Sequence, residues 1–219
     1  MPITRGFLGK QNPKAPRDTF FARQKKLLPS LVLVFATMAP GHAIAQIRVE
    51  KEDIPFMPQE CMMRYLPDSE IGRHWAMVLK NNGGDIGITH YCIGMKGVID
   101  LYRGVPKSEV RSWINSTFNE FKYVEDRWPE DHILRPSIEI AKGRVRYYER
   151  KYDQAAAHFE RAIQLNENLV DGYAWLSDAL TESGKHEAAR AVIKSALEKF
   201  PGNRKIELRK AEQEKGRRN

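Results

Sequence analysis

Two cysteines and five histidines beyond residue 45 are the side chains with the best claim to metal or redox chemistry. Cys61 and Cys92 are the only cysteines, and His90 stands two positions before Cys92. Thiolates and imidazoles hold zinc when ligands come in close pairs such as C-x-x-C, and neither that pair nor C-x-x-C-H is present. Three readings of the sulfurs stay open: a structural disulfide, two buried unpaired thiols, or a metal or redox site completed by His90 and His74. An even count in an oxidising compartment favours the disulfide. Closing a loop of about 30 residues contributes roughly 3–4 kcal/mol by restricting the unfolded chain.

Other chemistry is thin. The chain has no G-x-S-x-G, H-E-x-x-H, P-loop or G-x-G-x-x-G. Asn82-Gly83-Gly84-Asp85 is Gly-rich, but no strand-then-helix frame surrounds it as a phosphate site requires, so it reads as a loop. Asp126, Glu130 and Asp131 around Trp128 read as a solvated acidic corner rather than an acid–base pair. His158 and His186 fall within or beside helices as surface or contact residues. Asn115-Ser116-Thr117 is a glycosylation sequon of consequence only in a eukaryotic secretory route. No catalytic residue, metal ligand set or cofactor is expected, and the chain does not read as an enzyme.

The positioning elements begin with a segment that is not part of the fold. Residues 1–45 carry seven Lys/Arg and one Asp. Arg23, Lys25 and Lys26 precede an apolar run from Leu31 to Ala39, then Ala43-Ile44-Ala45: the three parts of a secretory signal peptide, with cleavage expected after Ala45. The run is about half of the roughly 20 residues a spanning helix needs. The expected location is periplasmic or secreted; an uncleaved anchor is the alternative. The remaining 174 residues hold 29 basic against 27 acidic groups, so the body has no electrostatic footprint for nucleic acid.

The strongest pattern lies near the C-terminus. Ala155, Phe159 and Ala162 recur 34 residues on as Ala189, Ile193 and Ala196, and Gly143 recurs as Ser177. Small residues at Gly143/Ser177 and Ala155/Ala189 let two antiparallel helices cross closely. Phe159/Ile193 and Ala162/Ala196 share one helix face that packs towards the next unit. Gly184 supplies a left-handed residue ending a first helix, and Pro201 stops a second.

This segment resembles the tetratricopeptide repeat (TPR). Tyr173, Leu176, Ser177, Leu180, Ala189, Ile193, Ala196 and Pro201 stand at signature positions of one unit, residues 170–203, with Leu180 where Tyr is usual. The preceding unit, 136–169, matches at Gly143, Tyr152, Ala155, Phe159 and Ala162. It departs at Glu139, Arg146, Arg150 and Glu167. Upstream, Thr117, Phe121, Val124 and Pro129 reproduce the second-helix offsets within residues 105–135, where Ser108 is the expected helix cap. Ile86 to Arg103 is its expected partner helix, with Gly94 and Gly97 allowing close approach.

Residues 46–104 read as an N-terminal helical region: an extended stretch over 46–57, a short helix over Pro58–Leu66, and a helix opened by Asp68-Ser69-Glu70 that stops at Asn81-Asn82-Gly83-Gly84. Residues 204–219 read as a charged capping helix and basic tail, which a repeat array needs to cover its last apolar face. The fold expected is an all-α solenoid of antiparallel helix pairs.

The resemblance implies a concave groove lined by the first helix of each pair. The matching positions are Ser137, Ile140, Arg144, Tyr147 and Tyr148, then Asp171, Ala174, Asp178, Thr181 and Glu182. Arg144 with two tyrosines is an anchor of the kind that dominates interfaces, and Asp178 and Glu182 form an acidic rim. Plain solvation of these residues, or cover by the terminal helix, is the competing reading. The function expected is a non-catalytic adaptor or scaffold holding a peptide or helix of another cell-envelope protein. A Cys/His metal or redox module over residues 46–104, docked through the repeats, and a self-associating envelope component are the alternatives.

Overall fold

A computed structural model describes residues 47–216, and the expected signal segment lies outside them. The described residues form nine α-helices and no strand: α1 Met62–Tyr65, α2 Glu70–Asn81, α3 Ile88–Arg103, α4 Val110–Glu125, α5 Arg135–Tyr148, α6 Tyr152–Leu165, α7 Val170–Glu182, α8 His186–Lys199 and α9 Arg204–Gly216. From α3 onward they pack as neighbouring antiparallel pairs, the all-α solenoid expected.

Within each pair a small residue admits the partner's bulk. Gly143 of α5 lies against the Phe159 ring of α6, leaving no room for a Cβ. In α3 and α4 the same relationship joins Gly94 to Phe121, where an added Cβ would stand 2.6 Å from the ring. Gly97 faces the buried Thr117 in that crossing. The α3/α4 pair therefore repeats the close crossing of α5/α6, although its helices are longer.

The two repeat turns are also alike. Lys185 N–H donates to Leu180 O (2.8 Å) around Gly184 at φ +78°. Lys151 N–H donates to Arg146 O (2.9 Å) around Arg150, which adopts φ +60° although it carries a side chain. The last pair is closed by α9, whose Ile206 is fully buried against Ala174, Ile193 and Ala196.

Two helix starts and one segment differ from expectation. The stretch over 46–57 is not extended: Lys51–Phe56 is a 3-10 helix. Its geometry is held by one local capping contact and two partners remote in sequence. Asp53 accepts from Glu50 N–H (2.9 Å), is gripped by Arg103 Nη1 (2.9 Å) and lies 3.3 Å from Lys96 Nζ. Ser108 does not cap α4; the helix starts after Glu109 with no side-chain cap, because Pro106 opens a turn that ends with Glu109 N–H donating to Pro106 O (2.8 Å). The helix expected from Ile86 begins at Ile88, after Gly87 in a left-handed conformation. Ser69 does cap α2, accepting from Gly72 N–H at 3.0 Å.

Cys61 and Cys92 are joined, with Cα atoms 5.8 Å apart, and both are fully buried. The bridge ties the start of α1 to α3. Tyr91, next to Cys92, is also fully buried and donates its hydroxyl to the Glu60 carboxylate. Trp128, expected at a solvated corner, is itself buried: its indole N–H donates to Ile86 O and its face stacks on His132 at 4.0 Å. Asp126, Glu130 and Asp131 around it are exposed, together with Arg127 and Pro129.

Candidate functional site

A groove of about 640 Å³ is walled by α5, α7, α9 and the start of α8, with His186 and Arg190. Tyr147 forms one wall. Its ring meets Trp175 edge-on at 5.4 Å and Tyr152 at 5.2 Å. Burial pushes the Tyr147 hydroxyl up to about 12, and the charges of Glu182 and Asp178 push the same way. Thr181 and Glu182 line the floor and rim. Glu182 is exposed and makes no ion pair among the described residues.

Arg144 sits one helical turn from Tyr148, between aromatic rings rather than acids. Its guanidinium carbon lies 5.0 Å from the Tyr102 ring and 5.4 Å from Trp175. Tyr102 holds the backbone there by donating its hydroxyl to Arg144 O at 2.9 Å. The Arg144 Nε is buried without an acceptor. The cation is thus framed by π faces, and no carboxylate of the described residues pairs with it.

The other expected lining residues are placed differently. Ile140 is buried among Phe159, Ala155 and Leu176, and Ala174 is fully buried under α9. Asp171 is paired with Lys205. Asp178 lies in the groove wall, where Arg209 of α9 grips it through Nη2 (2.6 Å to Oδ2) and Nε (2.9 Å to Oδ1). Burial raises the Asp178 carboxyl above its ordinary range; Arg209 pulls it back, while Glu212 and Glu182 push it up. Tyr148 packs edge-on to Tyr102 at 5.8 Å and faces a separate cleft beside α4. The terminal helix thus covers part of the second repeat's lining and leaves Tyr147, Thr181 and Glu182 open.

Sequence reasoning missed Tyr102, Trp175 and the wall that α9 supplies with Leu208, Arg209, Glu212 and Gln213. Trp175 neighbours the expected groove position Ala174, so its bulk was the available signal.

Of the residues discussed for metal or redox chemistry, His186 lines this groove, whereas Cys61, Cys92, His74, His90 and His158 are not among its lining residues. With the two sulfurs bonded to each other, neither is a thiolate ligand. His90 shares a 2.7 Å contact with Glu120 and stacks on Tyr123 at 3.6 Å. His74 meets Trp75 edge-on at 5.9 Å. His158 contacts Glu139 at 2.7 Å, across the α5/α6 pair.

Residues 140–204 match the tetratricopeptide repeat family. That segment is a TPR region. No curated protein and no solved structure matches the chain. The matched segment runs from Ile140 in α5 through the start of α9, so the family covers both units read from the 34-residue offset. TPR units are in general non-enzymatic interaction repeats, which points to a protein partner. Among the described residues no helix is long and apolar enough to cross a membrane.

Proposed function

We propose that this protein is an exported adaptor whose concave groove holds a peptide or helical segment of another cell-envelope protein. The observation that carries the reading is Arg144: a cation framed by Tyr102 and Trp175, with a buried Nε lacking an acceptor and no acidic partner. Such a group is held ready for an acceptor from outside, and aromatic–Arg clusters concentrate binding energy. Arg144 is not itself among the groove-lining residues; Trp175, which meets both Arg144 and Tyr147, links it to the lining formed by Tyr147, Thr181 and Glu182.

The test is capture of the partner from envelope extract by the wild-type chain, by Arg144→Glu and by Thr181→Arg, which fills the groove. Both variants are expected to lose the partner while helicity and melting temperature stay near wild type. Undiminished capture by both folded variants would remove the groove from the account. Export is supported by the basic-apolar-Ala-x-Ala order of residues 23–45, and Ile47, two residues beyond the expected cleavage point, is buried. Intact mass of the exported chain tests this: loss of residues 1–45 is expected, and a full-length mass would contradict it.

A further inference from the structure

A second cleft, about 1000 Å³, opens on the other side of Tyr148, between α4 and the C-terminal end of α5. It exists because α4 meets α5 only narrowly, α5 packing mainly on α3 and α6, whereas α6 lies closely along α7. Its charge is one-sided. Lys107, Arg111, Arg146 and Lys151 line it against a single acid, Glu149. That acid is already occupied twice, by Arg146 Nη1 at 2.6 Å and Lys151 Nζ at 2.7 Å. Lys107 and Arg111 are exposed and make no ion pair among the described residues.

The cleft is also apolar at its base. Val110, Ile114 and Phe118 contribute from one face of α4, and Arg146 lies over the Phe118 ring at 4.3 Å. Arg146 and Arg150 are two of the positions where this unit departs from the repeat pattern. The first lines the cleft; the second holds the left-handed turn leading to Lys151.

We propose that this cleft is a second docking site, separate from the concave groove, that takes an acidic segment of another protein with an apolar side chain to set against Phe118. Charge chooses the occupant. The chain's own ends have the wrong sign: residues 1–45 hold seven basic groups and one acid, and the last 16 hold seven basic groups and three acids. A ligand bringing two or three carboxylates neutralises the cleft, and binding of this kind weakens with salt.

The experiment titrates the full chain with a fluorescent amphipathic Glu/Leu peptide, with its Lys/Leu counterpart, and with a single-stranded oligonucleotide. Tight binding of the acidic peptide alone is expected. The double substitution Lys107→Glu/Arg111→Glu is expected to weaken it at least tenfold, with an unchanged melting temperature, and Thr181→Arg in the concave groove is expected to change it less than twofold. Since both substituted side chains are exposed and unpaired, folding is not at issue. Equal binding of the Lys/Leu peptide, or insensitivity to the double substitution, would overturn the proposal. Oligonucleotide binding lost in that variant would reassign the cleft to nucleic acid. A concentration-dependent oligomer in sedimentation, abolished by the same variant, would give the cleft to a second copy.

Discussion

Arg209 of α9 holds both carboxylate oxygens of Asp178 on α7, so the last helix is latched to the repeat whose groove it borders. Lys205 on Asp171 and Gln213 Nε2 donating to Ser177 Oγ (2.8 Å) extend the latch along the helix. The charged side chains of α9 therefore dock the helix alongside the burial of its own Ile206.

Arg209→Ala leaves Asp178 half-buried without its partner. A charged hydrogen-bonded pair of this exposure contributes about 1–3 kcal/mol. The expected outcome is a loss in that range by urea denaturation, with faster amide exchange confined to α9. An unchanged midpoint would show that Ile206 alone docks the helix.

The glycine crossings set two effects against each other. Gly→Ala inside a helix gains about 1 kcal/mol in propensity, while overpacking a close crossing costs about 1–3 kcal/mol. Gly143 and Gly94 each face an aromatic ring with no space for a Cβ, so the packing cost wins. Gly143→Ala and Gly94→Ala are both expected to lower the melting temperature, and a stabilised Gly94→Ala would contradict the close α3/α4 crossing.

Arg150 is the converse case. Its φ of +60° suits glycine, which is what the equivalent turn has at Gly184. Arg150→Gly is expected to leave stability unchanged or raise it by up to about 1 kcal/mol, whereas Gly184→Ala is expected to lower it. Paired thermal melts decide both.

Acid is expected to loosen the 3-10 helix Lys51–Phe56, a strap tied to α3 through Asp53, and the α5 ion pairs. Burial alone would raise the carboxyl of Asp53, but the Glu50 amide, Lys96 and Arg103 outweigh it and hold it below its ordinary value. Glu139, despite burial, is lowered by His158 and Lys142, and Glu149 by Lys151 and Arg146. A carboxyl lowered on folding contributes stability above its unfolded value, and that contribution is lost as pH falls through the folded value. The urea midpoint is therefore expected to drop below about pH 4, and Asp53→Asn to flatten that dependence. An Asp53→Asn profile parallel to wild type would show that the strap does not depend on this charge.

The repeat was legible because its rule is local and recurs: small residues at Gly143, Ser177, Ala155 and Ala189, bulk at Phe159 and Ile193, spaced 34 apart. The Gly94–Phe121 crossing was legible for the same reason, through size rather than identity. The strap over residues 51–56 was not, because Asp53 is fixed by Lys96 and Arg103, more than 40 positions away, and Pro55 and Pro58 mask any helical period. The groove was half legible. Tyr147, Asp178, Thr181 and Glu182 of the lining stand at repeat-register positions, while Arg144 lies beside Trp175 and outside the lining; Arg209 on Asp178 is a polar contact with no periodic trace, and it changes which lining residues stay open.

The most direct test of the central claim places a photoreactive side chain at Glu182, on the groove rim, and another at Lys194, exposed on the outer face of α8, in the chain expressed in its own cells. The account predicts one discrete protein adduct from position 182, lost when Arg144→Glu is added, and none from position 194. Equal labelling from both positions, or an adduct at 182 that persists with Arg144→Glu, would contradict a groove anchored on Arg144.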